Sequence, residues 1–216
     1  MSIINSVKRV VEGFYRKKLF PDSERVWINK YKRGNNSGFG SYGVHADFKA
    51  RVLNEFVKDN GVKTVLEFGC GDGNQASLFE FPNYVGLDIS GIAISWCKEK
   101  MKGDETKSFH VYNPRVELFY KAELTLSLEV LFHLIEQDVY ERYLKQLFQA
   151  SEKYVIIFCS NTDENTLLIS PNCYLRKYTD WISNNESLKV WKLIKTIKYE
   201  LGKQEFNIYE KMVEND

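Results

Sequence analysis

The sequence predicts an α/β fold: a doubly wound sheet of seven strands, one of them antiparallel, behind an N-terminal helical cap. Three observations predict it. A short apolar run closing on Glu67 gives way to Gly69, Gly71 and Gly73, which is a strand breaking into a tight turn. Apolar, strand-like runs then alternate with segments of helical spacing, as βαβ units do. The chain closes on two β-rich runs, Val190 to Tyr199 and Glu205 to Met212, joined across Gly202 as a hairpin. A length of 216 residues with 44% apolar content suits one domain over 1–216. Within it, 1–60 forms a helical and lid segment and 61–216 the sheet core.

Taken in order, Ile3, Val7, Val10, Val11, Phe14 and Tyr15 recur at helical spacing among charged residues from Ser2 to about Leu19. The stripe suits packing on the body or on a second copy of the chain, and fits a membrane surface less well because Glu12 interrupts its basic face. Trp27 to Gly43, aromatic and dense in glycine, is expected to be a loop. It either connects two helices or folds over a ligand as a lid, with Tyr31, Arg33, Ser41 and Tyr42 as its ligand-facing candidates. Ala46 to Lys58 reads as a helix ended by Gly61. A helix is expected near Gln75 to Phe79, then a strand over Val85 to Ile89 and a helix capped by Ser90.

Phe109 to Asn113 reads as the third strand, ended by Pro114, and Leu124 to Val130 as a central one buried on both faces. Asp138 and Glu141 resemble a capping box ahead of the stripe Tyr140, Tyr143, Leu144, Leu147 and Phe148. Tyr154 to Cys159 reads as the fifth strand, Ser160 to Pro171 as loop, and Tyr174 to about Asn184 as helix.

Charge narrows the function. Thirty Lys and Arg against 29 Asp and Glu, scattered along the chain, leave no electrostatic footprint for nonspecific nucleic-acid binding. No apolar run is long enough to span a bilayer, no signal-peptide core opens the chain, and Cys70, Cys97, Cys159 and Cys173 show no C-x-x-C pairing. A cytoplasmic protein with reduced thiols is expected. No D-x-x-x-D or D-N cluster stands at the relevant strand end, so no metal is expected.

The chemistry concentrates in Glu67-Phe68-Gly69-Cys70-Gly71-Asp72-Gly73 and in Asp88, which closes the next strand where a carboxylate can take both hydroxyls of a ribose. A dinucleotide fingerprint requires G-x-G-x-x-G, whose third glycine is replaced here by Asn74, so a nicotinamide oxidoreductase is disfavoured. The order E-x-G-x-G-x-G, with Asp88, resembles the class I methyltransferases that use S-adenosylmethionine, which share a Rossmann-like sheet. Further runs, G-N-N-S-G-F-G-S-Y-G, V-G-L-D-I-S-G-I-A-I and L-S-L-E-V-L-F-H-L-I-E, are similar to those of bacterial methyltransferases encoded in capsule and surface-polysaccharide clusters. That resemblance runs from about Trp27 to the C-terminus. It implies methyl transfer from S-adenosylmethionine, without a metal, to a sugar hydroxyl or a phosphoramidate on a sugar, leaving S-adenosylhomocysteine. A small-metabolite or amine acceptor, and a noncatalytic module that binds S-adenosylmethionine, remain as alternatives.

By the same resemblance, backbone groups of Gly69, Cys70, Gly71 and Gly73 cradle the methionine moiety, and Glu67 orients its ammonium end or the loop. Asp88 binds the ribose, Ile89 packs on adenine, and Leu128 and Glu129 face the methionine end. Asn113 stands where many relatives carry an acidic residue for the adenine amino group. His133, four residues past Glu129 at the end of the central strand, is the candidate base, since an imidazole titrating near 6.5 suits proton removal at neutral pH. It reads equally as a histidine that ties down the loop before the next helix. Arg176 either grips an anionic acceptor or belongs to a solvated basic turn.

Overall fold

The structure is a computed structural model, and it describes residues 22–165 and 172–212. The N-terminal stripe of Ser2 to Leu19, and with it an oligomer contact through that helix, lies outside the described residues. Seven strands form one sheet: β1 (Val65–Phe68), β2 (Tyr84–Asp88), β3 (Lys107–Val111), β4 (Ala122–Leu128), β5 (Ser151–Ser160), β6 (Trp191–Lys198) and β7 (Gln204–Lys211). Their spatial order is β3-β2-β1-β4-β5-β7-β6. All pairs from β3 to β5 are parallel, and β7 runs antiparallel to both β5 and β6, which makes it the single reversed strand. The order reverses between β1 and β4, and open α/β sheets bind ligands at the carboxyl ends beside such a switch point.

Helices cover both faces because the central strands are apolar on both. Leu124, Leu126, Ile156 and Phe158 point to the face covered by α2 (Gly43–Asp59) and α3 (Gly91–Lys100), where Leu53, Val57, Ile94 and Cys97 meet them. Leu66, Phe68, Val155 and Ile157 point to the other face, covered by α4 (Gln137–Gln149) and α5 (Tyr178–Ser183). The helical stripe of α4, from Tyr140 to Phe148, is buried as its spacing requires. Ser90 caps α3, its hydroxyl accepting from the Ala93 N–H at 3.3 Å.

Four local expectations are corrected. Trp27 to Lys32 is helix, not loop: α1 (Ser23–Lys32) starts where the Asp22 carboxylate accepts from Arg25 N–H, and Ser23 ties it to Glu136 through its N–H (2.8 Å) and hydroxyl (2.6 Å). The true loop begins at Gly34 and contains one 3₁₀ turn, Phe39–Ser41. Gln75 to Phe79 holds only a 3₁₀ turn, Ala76–Leu78, because Phe79 and Phe81 stack at 4.4 Å in the core and pull the chain straight into β2. The Asp138–Glu141 capping box does not form: Glu136 holds the N-cap with its carboxylate committed to Ser23, Gln137 donates to Glu141, and Asp138 pairs with Arg142. The helix expected from Tyr174 starts only at Tyr178, since Arg176 reaches back to the carbonyls of Leu134 and Ile135 (2.8 Å each).

Candidate active site

A cavity of about 630 Å³ opens at the carboxyl ends of β1, β2 and β4, on the switch point. Its floor is the glycine turn. Gly69, Gly71 and Gly73 all have positive φ (81°, 60° and 76°), which L-residues adopt only with strain. Their neighbours forbid a side chain as well: a Cβ on Gly69 would stand 2.6 Å from a Val130 methyl, and one on Gly71 would stand 2.2 Å from the Ser37 hydroxyl oxygen. The turn is held from below by Gly69 and Cys70 N–H groups donating to Leu87 O at 2.7 and 2.9 Å.

Asp88 ends β2 in the cavity wall. One carboxylate oxygen accepts from Gly71 N–H at 3.0 Å and the other from Ser90 N–H at 2.8 Å, which leaves further lone pairs on both for a ligand. Burial raises its pKa to about 6 against the pull of those two N–H groups. Glu67 is buried beneath, accepting a hydrogen bond from Tyr84 OH, and burial raises its pKa to about 7. Gln75 donates to Ala46 O while its own buried carbonyl oxygen, on the cavity wall, has no partner among the described residues. Such an orphaned acceptor is the kind of atom a ligand N–H satisfies.

Where β4 ends, Glu129 takes φ 60°, the one positive value among described residues other than glycine, with its N–H donating to Phe158 O at 2.7 Å. The fully buried Lys49 of α2 donates to its carboxylate at 2.7 Å, and Gly40 of the overlying loop packs so closely on that carboxylate that a Cβ there would fall 2.2 Å from an oxygen. Strand β4 therefore stops at Leu128 rather than Val130.

The roof is the loop of residues 34–42. Asp72, the residue between two glycines of the turn, accepts from Ser37 N–H (2.7 Å), Tyr42 OH (2.8 Å) and Asn74 N–H (3.0 Å), and its own N–H donates to Ser37 Oγ (2.8 Å). Burial would raise the Asp72 pKa, but these donors outweigh it and leave it lowered. Ser37, Gly38, Phe39, Gly40 and Ser41 thereby face the cavity.

His133 closes a 3₁₀ turn, Leu131–His133, on the far wall. Its ring lies edge-on to Trp27 (4.6 Å) and Phe132 (4.4 Å), and its Nδ1 is 3.2 Å from Asn172 O. A carbonyl oxygen only accepts, so Nδ1 carries the hydrogen and Nε2 the lone pair. Burial, reinforced by nearby Lys30, pulls its pKa down to about 4, well below the unperturbed value.

Of the residues singled out from sequence, Glu67, Gly69, Cys70, Gly71, Asp88, Ile89, Leu128, Glu129, His133, Tyr31 and Ser41 line this one cavity. Gly73, Asn113, Arg33, Tyr42 and Arg176 do not. Gly73 instead lies against Cys97 and Met101. Asn113 is exposed and accepts from Arg115 N–H, while Tyr112 and Pro114 on either side of it reach the wall. Arg33 is exposed at the end of α1, Tyr42 acts through Asp72, and Arg176 is half-buried between Tyr140 and Tyr174. Sequence reasoning missed Asp72, Ser37, Lys49, Gln75 and Trp27. Only Trp27 and α1 had a legible signal, the Asp22 cap ahead of them.

The fold is that of a class I S-adenosylmethionine-dependent methyltransferase. Residues 43–198 match the family model of a methyltransferase domain, and the chain belongs to that family. A search of curated proteins finds no match. Magnesium protoporphyrin IX methyltransferase from Synechocystis, crystallised with bound S-adenosylmethionine, superposes with a TM-score of 0.64 at 14% identity, over 88% of this chain and 97% of that one. A S-adenosylmethionine-dependent methyltransferase from Clostridium acetobutylicum gives 0.59 at 12% identity, over 86% and 96%. The N-methyltransferase NodS from Bradyrhizobium japonicum gives 0.56 at 11%, over 77% and 87%. Among the described residues no cluster of His, Cys, Asp and Glu could hold a metal ion, and no helix is long and apolar enough to cross a membrane.

Proposed function

We propose that the chain, working as one unit over its 216 residues, methylates an oxygen of a small sugar-linked acceptor, a sugar hydroxyl or a phosphoramidate, in the assembly of a bacterial surface polysaccharide. The observation that carries the methyl-donor half is the open valence of the floor: Asp88 with lone pairs to spare, the orphaned Gln75 oxygen, and a turn that only glycine can make. Asp88 takes the ribose hydroxyls, Ile89, Tyr112 and Pro114 bound the adenine, and Glu67, Gln75 and the glycine turn hold the methionine end. Bound S-adenosylmethionine supplies a methyl group activated by its sulfonium.

The acceptor half rests on the opposite wall, where Trp27, Phe132 and His133 offer flat apolar rings beside one basic nitrogen. Trp27 and Phe132 pack the acceptor against the donor, so that its oxygen lies in line with the methyl carbon. His133 Nε2, held in its lone-pair form by Asn172 O, takes the acceptor proton as the carbon–oxygen bond forms and the methyl carbon–sulfur bond breaks, leaving S-adenosylhomocysteine. The loop 34–42, fastened by Asp72, keeps water from the reacting atoms.

Mass spectrometry of surface polysaccharide from a deletion strain tests the reading. Loss of one methyl ether or methylated phosphoramidate supports it. An unchanged polysaccharide, with S-adenosylhomocysteine formed from amines in vitro, overturns it in favour of an amine acceptor. No turnover with any acceptor would leave a binding module.

A further inference from the structure

We infer that Lys30, laid over Trp27 beside His133, is the docking point for a negatively charged group, a phosphate or a carboxylate, on the methyl acceptor. The inference rests on the acceptor reading above and narrows it to anionic sugars.

Charges around the cavity are nearly all matched. Its wall carries two lysines, Lys30 and Lys49, and four carboxylates, Glu24, Glu67, Asp88 and Glu129. Lys49 is matched by Glu129 at 2.7 Å, and Glu24 by Arg115 at 2.8 Å. Asp88 is held by backbone N–H groups and Glu67 by Tyr84. Lys30 alone has no carboxylate in ion-pair contact among the described residues. Its ammonium sits 4.0 Å from the centre of the Trp27 ring, and its one hydrogen bond among the described residues, to Ser37 O, is long at 3.4 Å. The neighbouring Asp72 is already committed to Ser37, Tyr42 and Asn74.

An ammonium has three donors, and partial burial strips away the water that would otherwise serve them. Burial accordingly pulls the Lys30 pKa below its usual value, with Asp72 opposing. A bound anion reverses that cost. Trp27 links the cation to the chemistry, because the same indole carries Lys30 over its ring and has His133 4.6 Å away in a T-shaped contact. An acceptor anchored by its anion at Lys30 thus lays its ring on Trp27 and brings a nearby oxygen to His133. Neutralising Lys30 also removes a positive charge that adds to burial in holding the His133 pKa down.

Calorimetry on protein saturated with S-adenosylhomocysteine tests this, with glucose 1-phosphate, glucuronate and glucose as probes at low salt, where charge is least screened. Both charged sugars are expected to bind roughly 10- to 100-fold more tightly than glucose, the range charge-assisted hydrogen bonds carry. The stronger of the two identifies the group. Lys30→Gln should erase the preference, Lys30→Arg should retain it, and S-adenosylhomocysteine affinity should stay at the wild-type value in both. Equal binding of all three sugars, a preference surviving in Lys30→Gln, or a large loss of S-adenosylhomocysteine affinity in that variant overturns the inference, the last by assigning Lys30 to the donor's carboxylate. If inorganic phosphate binds in a Lys30-dependent way while no sugar binds, the anion subsite stands and the sugar acceptor falls. If neutral sugars are methylated as efficiently as charged ones, the sugar acceptor stands and the anion subsite falls.

Discussion

Asp88 makes its two roles measurable through one proton. With its pKa raised to about 6 by burial, it is charged at pH 7.5 and largely protonated at pH 5. Ribose hydroxyls donate to the carboxylate more strongly than to the acid, so donor affinity should rise with pH through about 6. Calorimetry from pH 5 to 8 should show this for the wild type, and Asp88→Asn should bind S-adenosylmethionine roughly tenfold or more weakly, with that inflection gone. The His133 pKa is shifted the other way. A pKa near 4 leaves it neutral throughout the working range, so kcat should be flat from pH 5 upward with respect to this group and fall only toward pH 4. His133→Asn should lower kcat by roughly 10²–10⁴-fold with donor affinity unchanged, and a variant keeping more than about a tenth of the wild-type rate would favour catalysis by positioning alone. Glu67, raised to about 7, gives stability that is full below its unfolded pKa of about 4.5 and lost as pH rises through 7. Glu67→Gln keeps an acceptor for Tyr84 without the buried charge, so its Tm should gain on the wild type between pH 5 and 8.

The loop 34–42 and the glycine turn act as a pair, joined at Asp72. Asp72→Ala removes the partners of Ser37 N–H and Tyr42 OH together, which should raise amide exchange over residues 37–42 by at least tenfold while the exchange of β4 and β5 stays as it was. Unchanged protection would make the loop a self-supporting connector. This pairing also marks where sequence reading stops. The turn was legible because glycines at positive φ leave a pattern, and Asp88 because a strand end fixes its position. Asp72 was invisible because its partners, Ser37 and Tyr42, lie some thirty residues away in chain order. Lys49 was hidden for a similar reason, since a lysine within an otherwise apolar helix face discloses its partner only when Glu129 is brought to it. Trp27 was misplaced because the glycines beginning at Gly34 lent their loop character to six residues that are helix.

Across the sheet, the alternation of strands and helices and the closing hairpin were readable because each rests on local periodicity, and the antiparallel β7 fell where that pattern put it. Strand β7 then serves both faces: Phe206 and Ile208 pack beneath α2, and Tyr209 beneath α4. Phe206 is fully buried, 4.5 Å from the Phe158 ring, so Phe206→Ala should cost about 3–5 kcal/mol, read as a lower urea midpoint. Phe206 pairs with Phe158, the strand neighbour of Leu128 in the cavity wall, so donor affinity below the transition should weaken along with stability. A two-step transition in the variant would show instead that the terminal strands melt apart from the rest.

The contact between Gly40 and Glu129 bears on timing. The roof rests on a carboxylate, so a methyl group at position 40 fits only if the Glu129 side chain gives way, and lifting the roof requires the Asp72 bonds to part. On the proposed reading, release of the spent donor waits on that unlatching, so Gly40→Ala, by propping the roof ajar, should shorten the dwell of S-adenosylhomocysteine and relieve product inhibition.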